Sequence, residues 1–203
     1  MTPAADRDWR VLLIGGATGS GKTSLALALG KYFDVPTLEG DVLRWAIESA
    51  VALGSDPDLH PFHDVELWNR PGPEILDSSL RQSARLCQIN EVVLARRHLT
   101  TRPLILESVW ILPEFASQPS FNGIEMSGEV RSLFLYEQDV TALAERLYGR
   151  DGELGLPSNQ PSRLKMLYEY GLLMKERAEA LGLPVLPSRP FETLVDRAIE
   201  ALT

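Results

Sequence analysis

One cysteine is all the chain has, so Cys87 can enter no intrachain disulfide and no thiolate metal cluster. Its place in an apolar helical run reads as a small core residue, and a reducing, cytoplasmic setting is expected. No apolar run approaches the ~20 residues of a membrane span, and the polar stretch Thr2 to Arg10 has no apolar signal core. A soluble protein without a membrane partner is expected. Positive charge is in deficit: 20 basic residues against 28 acidic ones leave a net anion, which duplex nucleic acid would repel. No basic or aromatic stripe, internal repeat or low-complexity segment offsets that deficit. With 203 residues the chain holds one α/β core comfortably and not two, so a single domain, 1–203, is expected, as a monomer or a homodimer.

What the chain does have is concentrated near its start. Gly16 to Thr23 reads Gly-Ala-Thr-Gly-Ser-Gly-Lys-Thr, a glycine, four residues, then Gly-Lys-Thr. The glycines let successive backbone N–H groups curl around a polyphosphate, and the following helix offers its positive N-terminal end. Gly16, Ala17, Thr18, Gly19, Ser20, Gly21, Lys22, Thr23 and Ser24 are therefore the expected nucleotide-binding residues. Lys22 is expected to reach the β- and γ-phosphates of ATP, and Thr23 to ligate Mg²⁺. The flanks agree: Val11-Leu-Leu-Ile14 suits a strand buried on both faces, and Leu25 to Leu29 is rich in helix formers.

Further along, β and α signals alternate. Val35 to Leu38 reads as a short strand and Val42 to Ala52 as a helix with Asp41 as its N-cap. Residues 54–73 carry four prolines, two histidines and two glycines, which predicts a long excursion facing the substrate. It offers Phe62, Trp68 and Arg70 to a pocket; His60 and His63 there lack the partners of a zinc site. A helix is expected over 74–99, strands over Leu104 to Leu106 and Val130 to Leu135, and a turn at Asn122-Gly123. Asp139 caps a helix through Tyr148, and Gly149-Arg-Asp-Gly152 is expected to break it before a second helix, Ser162 to Leu181. The break reads as a helical lid over about 146–165. Pro184 to Leu186 and Phe191 to Leu202 complete the order as a fifth strand and a closing helix. The expected fold is α/β, three layers (α/β/α) around a five-stranded, mainly parallel sheet with its ligand at the carboxyl ends of the strands.

With those elements placed, the chain resembles the P-loop NTPase kinases of small molecules, the group that includes nucleoside, shikimate and gluconate kinases. It is most similar to the 2-phosphoglycerate kinase family, through Leu13 to Thr23, Asp41-Val-Leu-Arg44, Leu104 to Pro113 and the tail Gly182 to Leu186. Two positions depart from that family's pattern: Glu39-Gly40 replaces a Ser-Thr pair, and Trp110 stands where a histidine is usual. The resemblance implies an ATP- and Mg²⁺-dependent kinase that phosphorylates a hydroxyl of a small, anionic metabolite, with 2-phosphoglycerate first. An antibiotic, sugar or nucleoside acceptor is the alternative within that chemistry, and a nucleotide-dependent switch without an acceptor the alternative outside it.

Four groups then carry the expected chemistry. The resemblance implies that Asp41 accepts the proton of the substrate hydroxyl; a plain helix cap is the other reading. Arg44, three residues on, either holds an anionic acceptor or pairs with Glu48. Glu107 ends an apolar strand at the ligand-facing edge, where it can hold Mg²⁺-bound water or orient the acceptor, or else cap the next turn. Arg146 and Arg150 lie one helical turn apart before the expected break, placed to swing onto the transferring phosphoryl, with Arg163 a third candidate and a solvated face the alternative. By analogy with related kinases, Arg189 contacts adenine.

Overall fold

Val11–Gly16 forms β1, and none of its residues reaches solvent. Because successive side chains of a strand point to opposite faces, Leu12 and Ile14 enter one core and Val11 and Leu13 another. A strand apolar on both faces needs helices on both, and the chain supplies them. The computed structural model describes residues 7–153 and 161–202. In chain order these give β1, α1 (Lys22–Phe33), β2 (Thr37–Glu39), α2 (Gly40–Ala50), α3 (Gly72–Leu99), β3 (Leu104–Glu107), α4 (Pro113–Ala116), β4 (Ser120–Phe121), β5 (Ile124–Glu125) and β6 (Val130–Tyr136). The order ends with α5 (Val140–Glu153), α6 (Pro161–Ala180), β7 (Val185–Pro187) and α7 (Leu194–Leu202).

Five strands make one sheet in the order β2-β3-β1-β6-β7, every neighbouring pair parallel. Leu25 and Leu29 of α1 pack with Leu194 and Ala198 of α7 on one face; Cys87 and Leu94 of α3 pack with Phe115 and Ala178 on the other. The α/β/α sandwich expected from the sequence is thus the observed architecture. The register sets Ile14 opposite Glu107 and Glu39 opposite Glu107, which brings the ends of β1, β2 and β3 to one edge. Gly16, at the end of β1, has φ 123°. A Cβ there would run into the Leu135 carbonyl, so the chain leaves the sheet at a position only glycine fits.

The structure corrects several sequence expectations. The cap of α2 is Glu39, not Asp41: the helix begins at Gly40, where the Ser108 side chain leaves no room for a Cβ, and Asp41 lies in the first turn. The excursion is shorter than 54–73 by two residues, since α3 starts at Gly72 and accepts Pro73 in its first turn, where the missing N–H is no loss. Within it run two 3₁₀ turns, Pro61–His63 and Val65–Asn69. The expected break at Gly149 to Gly152 does not occur, as α5 continues to Glu153; a helix-interior glycine costs about 1 kcal/mol relative to alanine, too little to stop it. Its other end is as expected, with Asp139 Oδ1 accepting from the backbone N–H of Thr141 at 2.8 Å. Asn122 and Gly123 take left-handed φ values of 48° and 75° and turn a hairpin, β4–β5, outside the main sheet. No helix of the described residues is long and apolar enough to cross a membrane.

Candidate active site

The turn from β1 into α1 is drawn inward on one carbonyl. The Ala17 oxygen accepts from Ser20 N at 3.3 Å, from Ser20 Oγ at 2.8 Å and from Lys22 Nζ at 2.8 Å. Gly19 and Gly21 take φ values of 83° and 89°, which turn the loop without a Cβ in the way. Gly21 caps α1 with no side-chain hydrogen bond, leaving the first N–H groups of the helix directed at the adjoining cleft. Ser188, fully buried after β7, braces the loop from behind: its Oγ lies 2.8 Å from the Ser20 carbonyl and 2.9 Å from that of Tyr136.

This loop borders a cleft of ≈ 510 Å³ lined by Thr18, Gly19, Gly21, Lys22, Thr23 and Ser24, and across from them by Asp41, Glu107, Arg146 and Phe191. Gly16, Ala17 and Ser20 lie behind that lining and shape the loop. Thr23 Oγ1 donates to Glu107 Oε1 at 2.8 Å, so two side-chain oxygens from distant segments meet beside the lysine. Burial raises the Glu107 carboxyl above its ordinary value; Lys22 and the Thr23 hydrogen bond pull it down, Asp41 and Glu39 push it further up. A hydroxyl and a desolvated carboxylate are the hard oxygen donors that Mg²⁺ prefers, so the residues present fit that ion.

Arg146 reaches the same cleft, held from behind by Glu137. That carboxylate, only 2% exposed at the end of β6, pairs with Arg146 Nη2 and lies 3.4 Å from Arg189 Nε. Both guanidinium groups lie over the Phe191 ring, at 5.0 and 5.4 Å from its centroid. Among the described residues, Arg146 Nη1 is buried without a hydrogen-bond partner. Arg189 itself does not line the cleft; Phe191 does. Arg150 falls on α5, but its side chain, like residues 154–160 of the expected lid, lies outside the described residues.

A second cleft, ≈ 550 Å³, opens on the far side of Asp41. Thr18, Asp41 and Val109 border both clefts. Its walls carry Arg44 and Trp45 from α2, Phe62 and Trp68 from the excursion, Trp110 beyond β3 and Tyr170 of α6. Phe62 and Trp68 are thus where the sequence placed them, whereas Arg70 turns away to Asp64 at 3.0 Å. Arg44 lies in the cleft and also takes the alternative partner, with Nη1 2.8 Å from both carboxylate oxygens of Glu48 and Nε 3.6 Å from Asp41. Tyr170 donates to the Val109 carbonyl at 2.8 Å, anchoring the segment that follows Glu107. Arg163 lines this cleft too. Among the described residues no group of three or more His, Cys, Asp or Glu gathers as for a metal; His60 and His63 have only each other, at 5.3 Å between ring centroids.

Sequence reasoning missed Glu137, Ser188, Phe191 and Tyr170. Glu137 carried the signal that revealed Glu107, an acid directly after an apolar strand. Phe191 follows the fifth strand two residues after Arg189. Tyr170 had no local signal, since only the packing of α6 brings it to the cleft.

No family model matches the sequence, and no curated protein sequence matches it. Solved structures do match in shape. A putative kinase from Chloroflexus aurantiacus J-10-fl is similar over 97% of this chain and 100% of its own, at 17% identity and a TM-score of 0.56. A sugar kinase from Janibacter sp. HTCC2649 is similar over 96% and 94%, at 18% identity and a TM-score of 0.56. A shikimate kinase from Acinetobacter baumannii, solved in complex with shikimate, is similar over 95% and 94%, at 13% identity and a TM-score of 0.51. At such identities the likeness is one of fold: this chain has the α/β fold with a five-stranded parallel sheet found in P-loop small-molecule kinases.

Proposed function

We propose that the protein is an ATP- and Mg²⁺-dependent phosphotransferase whose acceptor is a hydroxyl of a small molecule. The observation that carries this reading is the position of Asp41, on the wall common to the phosphate-loop cleft and the second cleft. A nucleotide's phosphates would lie along the N–H groups at the start of α1, with Lys22 on the β- and γ-phosphates and adenine against Phe191. Arg189, behind that ring, supports it. Thr23 and Glu107 would hold Mg²⁺, which neutralises charge on the phosphates when bound. Asp41 takes the proton of the acceptor hydroxyl as its oxygen bonds to the γ-phosphorus. The bond from that phosphorus to the bridging oxygen breaks, and ADP leaves with the electron pair. Arg146, and Arg150 one turn on, would stabilise charge on the phosphoryl in flight, with 146–165 acting as the lid of a single domain. Arg44 and Glu107 orient the acceptor.

The sequence resemblance makes 2-phosphoglycerate the first acceptor to try. ADP formation by the purified protein is followed with Mg-ATP across a panel of hydroxyl compounds that includes it, with Lys22→Ala as the control. Acceptor-stimulated turnover that the variant loses establishes the kinase. Nucleotide binding without any acceptor effect sinks the reading in favour of a nucleotide-dependent switch.

A further inference from the structure

The second cleft differs in chemistry from the first. Its rings lie nearly in layers: Phe62 and Trp68, both from the excursion, stack at 5.2 Å with planes 23° apart, and Phe62 and Trp110, from beyond β3, lie 6.3 Å and 32° apart. Met166 and Tyr170 add apolar surface, and Trp45 stays 59% exposed at the mouth, a large indole left in water. Such flat faces gain most from a planar ring.

Arg44, one of the two cations in its lining, already has carboxylate partners. Arg44 is shared between Glu48 and Asp41, and Gln82 Nε2 holds Glu48 at 3.1 Å. Arg163, the other basic group of the lining, is engaged as well. An acceptor with two anionic groups would have to be drawn from water and to compete with the partners these arginines already have. What the wall offers instead is donors without a hydrogen bond: Trp110 Nε1, a neutral one, is buried with no hydrogen-bond partner and lines the cleft through its ring, and Arg44 Nε, 3.6 Å from Asp41, is buried without one as well. Both donate, and Asp41 accepts.

We infer that the acceptor is a neutral alcohol bearing a planar ring. Its ring packs against the aromatic surface that Phe62, Trp68 and Trp110 leave open to the cleft, a carbonyl or ring heteroatom accepts from Trp110 Nε1, and its hydroxyl is presented to Asp41. The transfer step rests on the kinase reading above; the ligand class does not. Trp110 is also one of the two places at which the chain departs from the 2-phosphoglycerate kinase pattern.

Calorimetric titration of the protein loaded with Mg²⁺ and a non-hydrolysable ATP analogue tests this, using uridine, 1-phenylethane-1,2-diol and 2-phosphoglycerate, followed by ADP release with Mg-ATP. A ring alcohol is expected to bind at least about tenfold more tightly than 2-phosphoglycerate, and Trp68→Ala to weaken it about tenfold or more. Trp68→Phe, which keeps a stacking face, should hold affinity within about threefold. Failure of both ring alcohols to bind, tighter binding of 2-phosphoglycerate, or indifference to Trp68→Ala overturns the inference. Turnover with 2-phosphoglycerate alone would remove the inference and leave the kinase standing. Ring-alcohol binding with the expected Trp68 dependence and no ADP release would support the ligand class while removing the kinase.

Discussion

Thr23 and Glu107, 84 residues apart in sequence, meet through a 2.8 Å hydrogen bond at the mouth of the phosphate loop. The carboxylate of the pair is held where burial disfavours its charge. Glu107→Gln keeps the acceptor oxygen for Thr23 and removes that charge, so two properties should separate. Mg²⁺-dependent turnover should fall by about two orders of magnitude, as for other lost electrostatic contacts in a site. The unliganded variant should be the more stable protein at neutral pH. A carboxyl raised above its ordinary 4.5 in the folded state opposes folding once ionised, and the penalty vanishes below the unfolded value. The stability gap should therefore open as pH rises through the carboxylate range. Urea melts of both proteins from acid to neutral pH check the sign; equal stability throughout would show that Glu107 is not under this strain.

Asp41 is tested by Asp41→Asn. Turnover should fall about 10²- to 10⁴-fold, the range for a lost general base, while the affinity for an ATP analogue changes little. A variant that still turns over removes Asp41 from the mechanism.

The role proposed for Arg146 is tested by Arg146→Ala, which should lower kcat more than it raises KM for ATP, since its contact is expected to form with the phosphoryl in transit. The opposite pattern would make it a binding residue only.

Glu137→Ala leaves Arg146 and Arg189 without their common carboxylate and also removes an acceptor for the Asp139 N–H at 3.1 Å. Breaking a buried pair costs about 3–5 kcal/mol; with Arg189 44% exposed, a loss of about 2–3 kcal/mol is expected in chemical denaturation. No change in midpoint would mean that the pair contributes nothing to stability.

Cys87 is 5% exposed, and burial pushes its thiol up to about 12. The native protein should not react with iodoacetamide at pH 8, and the unfolded protein should do so at once. Fast labelling of the folded protein would show that α3 opens far more readily than its packing implies.

The parts of the molecule that could be read in sequence are those whose physics is local. β1 and β3 are buried on both faces and appear as apolar runs, β6 has such a run only in Leu133 to Leu135, and the phosphate loop is legible because each of its residues has a separate constraint. The hairpin β4–β5 has two residues per strand, too few to show alternation, although its Asn-Gly turn was visible. The start of α2 is not where a carboxylate at 41 suggests a cap, because the cause, the Ser108 side chain against Gly40, comes from the segment that follows β3. The second cleft was legible only as far as Phe62, Trp68 and Arg44. Its shape depends on Trp110, Met166 and Tyr170, which α6 and the segment after β3 bring together in three dimensions alone.

Thr18, Asp41 and Val109 are common to both clefts, so the two chambers adjoin along a shared border. A ligand seated in one therefore ends where a ligand in the other begins. Joining a nucleotide to a ring alcohol through the phosphate chain would let one molecule occupy both chambers, with the second half binding at an effective concentration in place of a free one. Such a linked compound should bind about 10²- to 10⁴-fold more tightly than either half, and only in a protein where the two chambers meet over Asp41.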